Sequence, residues 1–270
     1  MKVLGRIQSL WRYPVKSMRG EELGEIFAGF PGVYGDRAYA FRSSAAPKGF
    51  PYFTAREQGQ MLRYRAAYRD PARMAIPPNL ADSEAIGSGL TALYADPGDW
   101  RVDVITPSGE VLPVEHPRLL DLLREGGKED LVLSLLRSER ALTDCRPISL
   151  ISMQTVRQLS GEVGVDLDKR RFRANLYVDL AEGEGFAENA WVNGRLRIGA
   201  KAEILVTGRD SRCKLITLDP DTAQSDPAIM RCVAQRHEGF AGVYAVVLVE
   251  GVIRVGDVIE QDGQVVGDCA

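Results

Sequence analysis

Ala202-Glu203-Ile204-Leu205-Val206-Thr207 runs directly into Gly208-Arg209-Asp210-Ser211-Arg212-Cys213. The first six residues form an apolar, partly β-branched run that predicts a strand. The next six place a thiol on a loop at the strand end, with Arg209 and Arg212 on either side. Positive charge beside a thiol favours the thiolate, which can serve as a nucleophile or as a ligand for a soft metal. The plainer alternative is a half-buried small side chain.

Outward from this strand the chain is β-dominated. Before residue 107, short β-branched and aromatic segments sit between Gly and Pro punctuation: Val3 to Trp11, Glu22 to Phe27, Arg37 to Arg42, Met61 to Tyr68 and Trp100 to Thr106. They predict an antiparallel sheet or small barrel. Pro71 to Asp99 reads as irregular insertion. Leu119 to Leu123 and Asp130 to Leu136 read as two short amphipathic helices, with a domain join near Pro113 to Pro117. In the second half, Ile148 to Ser152, Ala174 to Asp179, Leu196 to Ile198, Ala202 to Thr207, Gly242 to Glu250 and Val258 to Gln261 predict strands. A helix is expected from Met153 to Glu162, ending at Gly164. The expected fold is therefore mostly β with some helices (α+β), with domains at 1–115 and 116–262 and a tail at 263–270.

Composition limits the functions open to the chain. Its 270 residues include 34 basic and 37 acidic ones, a net charge of −3, which removes the broad positive field of a sequence-tolerant nucleic-acid binder. No apolar run approaches the roughly 20 residues that span a bilayer, so no membrane segment or signal peptide is expected. Cys145, Cys213, Cys232 and Cys269 match no zinc, iron–sulfur or disulfide spacing and are expected to be free thiols in a cytoplasmic protein. Two histidines, His116 and His237, leave little room for a histidine metal site or acid–base relay. There is no Walker, Gly-x-Ser-x-Gly or His-Glu-x-x-His motif, and Gly183-Glu184-Gly185 runs among acidic residues as a turn. Chemistry must then rest on Cys, Asp, Glu, Arg or a cofactor.

Two further basic segments flank strands: Tyr13-Pro14-Val15-Lys16-Ser17 and Arg170-Arg171-Phe172-Arg173. Together with the thiol loop they would form a pocket for a phosphorylated ligand bonded through sulfur. The ordered series Trp11 to Ser17, Gly35-Asp36-Arg37-Ala38-Tyr39 and Thr54-Ala55-Arg56 resembles the N-terminal β-barrel domain that accompanies MOSC domains. Arg171-Phe172-Arg173-Ala174-Asn175, Phe186-Ala187-Glu188, Trp191, Ile198-Gly199, Ser211-Arg212-Cys213, Thr217-x-Asp219-Pro220-Asp221-Thr222 and the closing strands resemble the MOSC domain itself.

The resemblance extends to the amidoxime-reducing components of mitochondria and their bacterial relatives. It implies a molybdenum cofactor, with Cys213 as catalytic residue and metal ligand. Lys16, Ser17, Arg37, Arg173, Asn175, Ser211 and Arg212 would hold the pterin and its phosphate, while Thr217 and Asp219 would fix the turn behind the cysteine. The implied activity is reduction of small N-hydroxylated substrates. Lacking an iron–sulfur cysteine spacing, the chain is expected to take electrons from a separate flavin, haem or iron–sulfur protein. Asp219 is weighed both as proton donor and as turn-capping carboxylate. Ala174 and Ala223 stand where the family commonly has proline and glycine. A cofactor carrier or sulfur-handling protein, and a metal-free phosphate binder, are the competing readings. Substrate choice is expected to lie in loops at Ser43 to Phe53 and Ser225 to Glu238.

Overall fold

The computed structural model describes residues 2–86, 100–125 and 130–261. Cys269, the tail and residues 87–99 of the expected insertion lie outside them. In chain order the strands are β1 (Lys2–Arg12), β2 (Glu21–Leu23), β3 (Glu25–Gly29), β4 (Gly32–Val33), β5 (Tyr39–Ser43), β6 (Tyr52–Phe53), β7 (Arg65–Tyr68), β8 (Val102–Ile105), β9 (Val111–Pro113) and β10 (Leu133–Arg137). They continue with β11 (Ile148–Ser152), β12 (Leu176–Leu180), β13 (Arg195–Ile198), β14 (Ala202–Ser211), β15 (Phe240–Val249), β16 (Gly251–Arg254) and β17 (Val258–Gln261). The helices are α1 (Leu80–Ile86), α2 (Pro117–Arg124), α3 (Met153–Val163) and α4 (Pro227–Arg236). None of the described helices is long and apolar enough to cross a membrane.

The largest sheet runs β12-β11-β15-β14-β13-β17-β1-β2, and an additional β12–β1 pairing closes seven of its strands into a barrel. Alternate side chains such as Ile7, Leu150, Val178, Leu196, Ile204, Val243 and Ile259 point inward and form its core. Among the described residues, the barrel's one parallel pair, β11 with β12, is joined by a crossover that contains α3, since parallel strands cannot be joined by a tight hairpin. Ser152 ends β11 and starts α3: its hydroxyl accepts from the Thr155 amide, and the helix stops at Gly164, whose φ is 82°. Fully buried Glu188 accepts from the Ser152 amide and hydroxyl and from the Thr155 hydroxyl. Helices α3 and α4 then cover the barrel with Val156, Leu159, Ile229 and Val233.

Three small sheets complete the molecule: β10-β5-β6, β16-β3-β4 and β7-β8-β9. A second core holds Phe27, Tyr34, Phe41, Met61, Trp100, Val102 and Leu119, and Leu218 from the C-terminal half packs into it. The two halves interlock: β1 is a stave of the barrel, and β3 pairs with β16.

Several sequence expectations need correction. The helix expected over Asp130 to Leu136 is the edge strand β10, paired antiparallel with β5. Leu131, Leu133 and Leu135 recur every second residue, and the first two are buried while Val132 is exposed, so the period is that of a strand. Met61 to Tyr68 splits into a 3-10 turn and β7. Arg37 lies outside β5 because its φ is 45°. Strand β14 does not stop at Thr207 but continues to Ser211 along β15, with register breaks at Val206/Gly208 and Arg209/Ser211. Ser225 to Glu238 is mostly α4 rather than loop: Asp226 accepts from the Ala228 amide, and Pro227 opens the helix.

Gly242 has φ 80°, and a Cβ there would lie 2.5 Å from the Leu150 carbonyl oxygen. Gly242→Ala is expected to cost about 2 kcal/mol or more in urea unfolding. Ala223 also has a positive φ, 61°, but carries a Cβ. Ala223→Gly is expected to raise stability by about 1 kcal/mol in the same assay, and an unchanged midpoint would show that the turn is unstrained.

Candidate functional site

Five successive barrel strands, β14, β15, β11, β12 and β1, carry on or just beyond them most of the side chains that line one cavity of about 310 Å³. The N-terminal half closes it with Arg37, Thr54 and Arg56. All eight site residues expected from the sequence, Lys16, Ser17, Arg37, Arg173, Asn175, Ser211, Arg212 and Cys213, line it together. Three of them, Ser17, Arg37 and Arg173, adopt φ of 66°, 45° and 51°, a left-handed conformation that non-glycine residues rarely take. Such strain concentrates at functional sites.

Tyr13 organises the floor. Its ring lies between the guanidiniums of Arg37 and Arg173, at 4.4 and 4.3 Å. Buried Asp36 accepts from the Tyr13 amide and pairs with Arg37 at 2.5 Å. Arg37 also donates to the Arg173 carbonyl, and Arg173 to the Met18 carbonyl. Arg37 is therefore structural as well as exposed to the cavity. Burial pushes Arg173 down to about 10, and its Nη2 has no hydrogen-bond partner. Lys16 is pushed down to about 8, first by burial, although Asp144 opposes the shift. Its ammonium donates to the Leu142 carbonyl and Asp144 and lies over the Tyr52 ring at 4.5 Å.

Cys213 opens a 3-10 turn, Lys214–Thr217, and its side chain caps nothing. The neighbour of its thiol is Arg56, whose Nε donates to Sγ at 3.3 Å. Arg56 also pairs with Asp144. Burial works against the charge on Asp144, but Lys16 and Arg56 outweigh it and hold the carboxyl below its ordinary range. Arg212, adjacent in sequence, instead donates to the Ala241 and Phe172 carbonyls and pairs with Asp210 at 2.8 Å. Arg209 pairs with Glu238 and lies over Phe240, away from the cavity lining. The charge beside the thiol thus comes from the other half of the chain. Cys145, Cys213 and Cys232 are all free thiols.

Asn175 and Ser211 both line the cavity, but the Asn175 amide group is already engaged: it donates to the Trp11 carbonyl and accepts from the Ser149 amide. Thr217 bonds the Lys214 carbonyl and the Ser225 hydroxyl. Asp219 accepts from the Asp221 and Thr222 amides, pairs with Arg171 and does not line the cavity, which makes it the turn-capping carboxylate. His116 caps α2, and His237 bonds Glu162 and stacks on Phe186. Neither histidine reaches the cavity.

Sequence reasoning missed Arg56, Asp144, Arg171, Asp210 and Tyr244, which also line it. Arg56, Arg171 and Asp210 lay in quoted motifs and Tyr244 in a predicted strand, yet nothing in the local sequence of Arg56 points toward a cysteine 157 residues away. Lys16 and six arginines, at 37, 56, 146, 171, 173 and 212, face two carboxylates, Asp144 and Asp210. That excess of cations suits a multiply charged anion.

The family description "MOSC domain" matches residues 137–260, and "MOSC N-terminal beta barrel domain" matches residues 4–91. Among solved structures, the chain is similar to YUAD protein from Bacillus subtilis at 14% identity, with 97% of each chain covered and a TM-score of 0.47. YiiM from Geobacillus stearothermophilus is similar at 19% identity over 45% of this chain and 57% of that one, with a TM-score of 0.36. YiiM from Escherichia coli is similar at 17% identity over 44% and 56%, with a TM-score of 0.33. No curated protein matches the chain.

Asp210 generates a pH prediction. Burial pushes its carboxyl up from 3.8 to about 6, against the pull of Arg212, the Tyr244 hydroxyl and Arg37. Between those values the folded protein holds a proton that the unfolded chain has lost, so this residue's contribution to stability falls as pH rises toward 6. Asp210→Asn is expected to be more stable than the parent at pH 7.5, by about 2–3 kcal/mol in urea unfolding, with the gap closing as pH falls from 6 toward 4. A gap independent of pH would mean that Asp210 ionises normally.

Proposed function

The chain belongs to the MOSC family, joining a MOSC domain to a MOSC N-terminal β-barrel domain, and on that premise we propose that it is a molybdenum-cofactor-dependent reductase of N-hydroxylated compounds, supplied with electrons by a separate protein. The observation that carries this reading is a free thiol, Cys213, on the wall of a cavity ringed by fixed cations.

The residues present fit the cofactor. A molybdopterin brings dithiolene sulfurs and a phosphate. It needs one soft protein ligand, which a thiolate supplies, and charge-assisted donors. Arg173 Nη2 and Arg171 Nε are buried without hydrogen-bond partners, as donors awaiting an acceptor would be. Lys16, Ser17, Arg37, Arg173, Asn175, Ser211 and Arg212 would hold the pterin and phosphate, and Cys213 the metal. When bound, the molybdenum centre supplies the two-electron chemistry that converts an N-hydroxyl compound, with two electrons and two protons, to the amine or amidine and water. The protein's part is to orient. Arg56 holds the Cys213 sulfur from the opposite half, and the Tyr13 stack fixes two guanidiniums on the floor. Free thiols suit the cytoplasmic setting that belongs to the proposal.

Elemental analysis with pterin detection on protein from a host that makes the cofactor is expected to give molybdenum and pterin together. Reduced with an artificial donor, that protein is expected to consume benzamidoxime over many turnovers. Loaded protein without turnover would leave a carrier, and folded protein without molybdenum would overturn the proposal. Cys213→Ser is expected to lose at least about a hundredfold in activity while keeping a reduced but measurable pterin content, because the other donors remain. Parent-like activity in that variant would exclude the thiolate as the essential ligand.

A further inference from the structure

A second cavity, of about 470 Å³, adjoins the first, and Thr143, Cys145 and Arg146 line both. Strand β15 also serves both: Tyr244 faces the first and Val246, two residues on and so on the same side of the strand, faces the second. The two spaces therefore share a wall. Whatever occupies the second sits next to the thiol cavity.

The chemistry of the second cavity differs from that of the first. Its lining holds Arg140 and Arg146 but no carboxylate among the described residues. Neither guanidinium has a hydrogen-bond or ion-pair partner among the described residues, and the Ser138 hydroxyl fixes the Arg140 backbone by accepting from its amide at 3.0 Å. Two aromatic rings, Phe30 and Tyr52, complete the recognition surface. Phe30 is 52% exposed, an apolar ring left facing solvent on a cavity wall. Free guanidiniums beside accessible rings bind a flat ring that carries negative charge, since the rings stack and the guanidiniums pair with the anion.

We propose that this second cavity is the substrate subsite and that it selects aromatic compounds bearing a carboxylate or phosphate. The inference deepens the reductase reading, because an anionic aromatic N-hydroxyl compound seated there lies against the cavity that contains Cys213. Its binding chemistry stands independently of turnover, since Arg140 and Phe30 line only the second cavity.

Isothermal titration of the purified full chain with benzoate, phenyl phosphate, benzamide and inorganic phosphate tests it. Benzoate or phenyl phosphate is expected to bind about tenfold more tightly than benzamide, the neutral ring, and than inorganic phosphate, the ringless anion. Arg140→Ala is expected to erase most of the preference over benzamide, and Phe30→Ala the preference over inorganic phosphate. Both variants should keep the parent's molybdenum content. Equal affinity for benzoate and benzamide, or a preference untouched by Arg140→Ala, would overturn the subsite. In protein that turns over, Arg140→Ala should raise KM for 4-carboxybenzamidoxime about tenfold with kcat and the benzamidoxime KM unchanged, and an unchanged KM would count against the subsite. If the protein holds no molybdenum, the phosphate probes also have the first cavity open to them, and the loss of the benzoate-over-benzamide preference in Arg140→Ala still decides the subsite while the reductase reading fails.

Discussion

Closure of the barrel by β1 is the constraint from which the site follows. This first strand pairs with β12 on one side and β17 on the other, so the N-terminal residues complete a barrel whose other six strands come from the second half of the chain. Leu10 stands opposite Leu176, and the Trp11 amide donates to the Asn175 carbonyl. That register sets the chain from Tyr13 to Ser17 beside Arg173. Asp36 accepts from the Tyr13 amide and holds Arg37 against the same ring. Three sequence-distant segments are thereby assembled around one phenol before any ligand is considered.

The cost of this assembly is electrostatic. Cations gathered in a partly dry cavity lose hydration and, to a smaller extent, repel one another, which is why Lys16 and Arg173 both lose basicity there. Each local carboxylate has a specific task in containing that cost. Asp36 anchors Arg37, Asp144 bridges Lys16 and Arg56, and Asp210 pairs with Arg212. The cations still outnumber the carboxylates on the cavity wall. A bound anion would relieve the remaining repulsion and occupy the orphaned guanidinium nitrogens.

Much of the architecture was legible because it rests on local rules. β-Branched and aromatic runs between Gly and Pro marked most of the strands, and Gly164 marked the end of α3. Where the rules were misapplied, the residues explain the error. The leucines of β10 recur at two rather than at helical spacing, and α4 carries a plain start signal in Asp226-Pro227. Ala223 keeps the left-handed turn that its position demands without the glycine that would make it easy.

By itself the sequence determined the β-rich fold, the thiol on a loop just beyond a strand and the basic segments that join it, all of which follow from side-chain type and local spacing. The individual residues that share the cavity came from the resemblance to the MOSC family. Only the tertiary structure decided which cation meets the sulfur. Arg209 and Arg212, the sequence neighbours, turn to Glu238 and to backbone carbonyls, while Arg56 arrives from the other half of the chain. It likewise decided that Asp144 would bridge two cations and that Asp219 would cap a turn. Side chains on adjacent strand residues point to opposite faces, so nearness along the chain does not make a contact, and a guanidinium goes wherever closure of the barrel presents its acceptors.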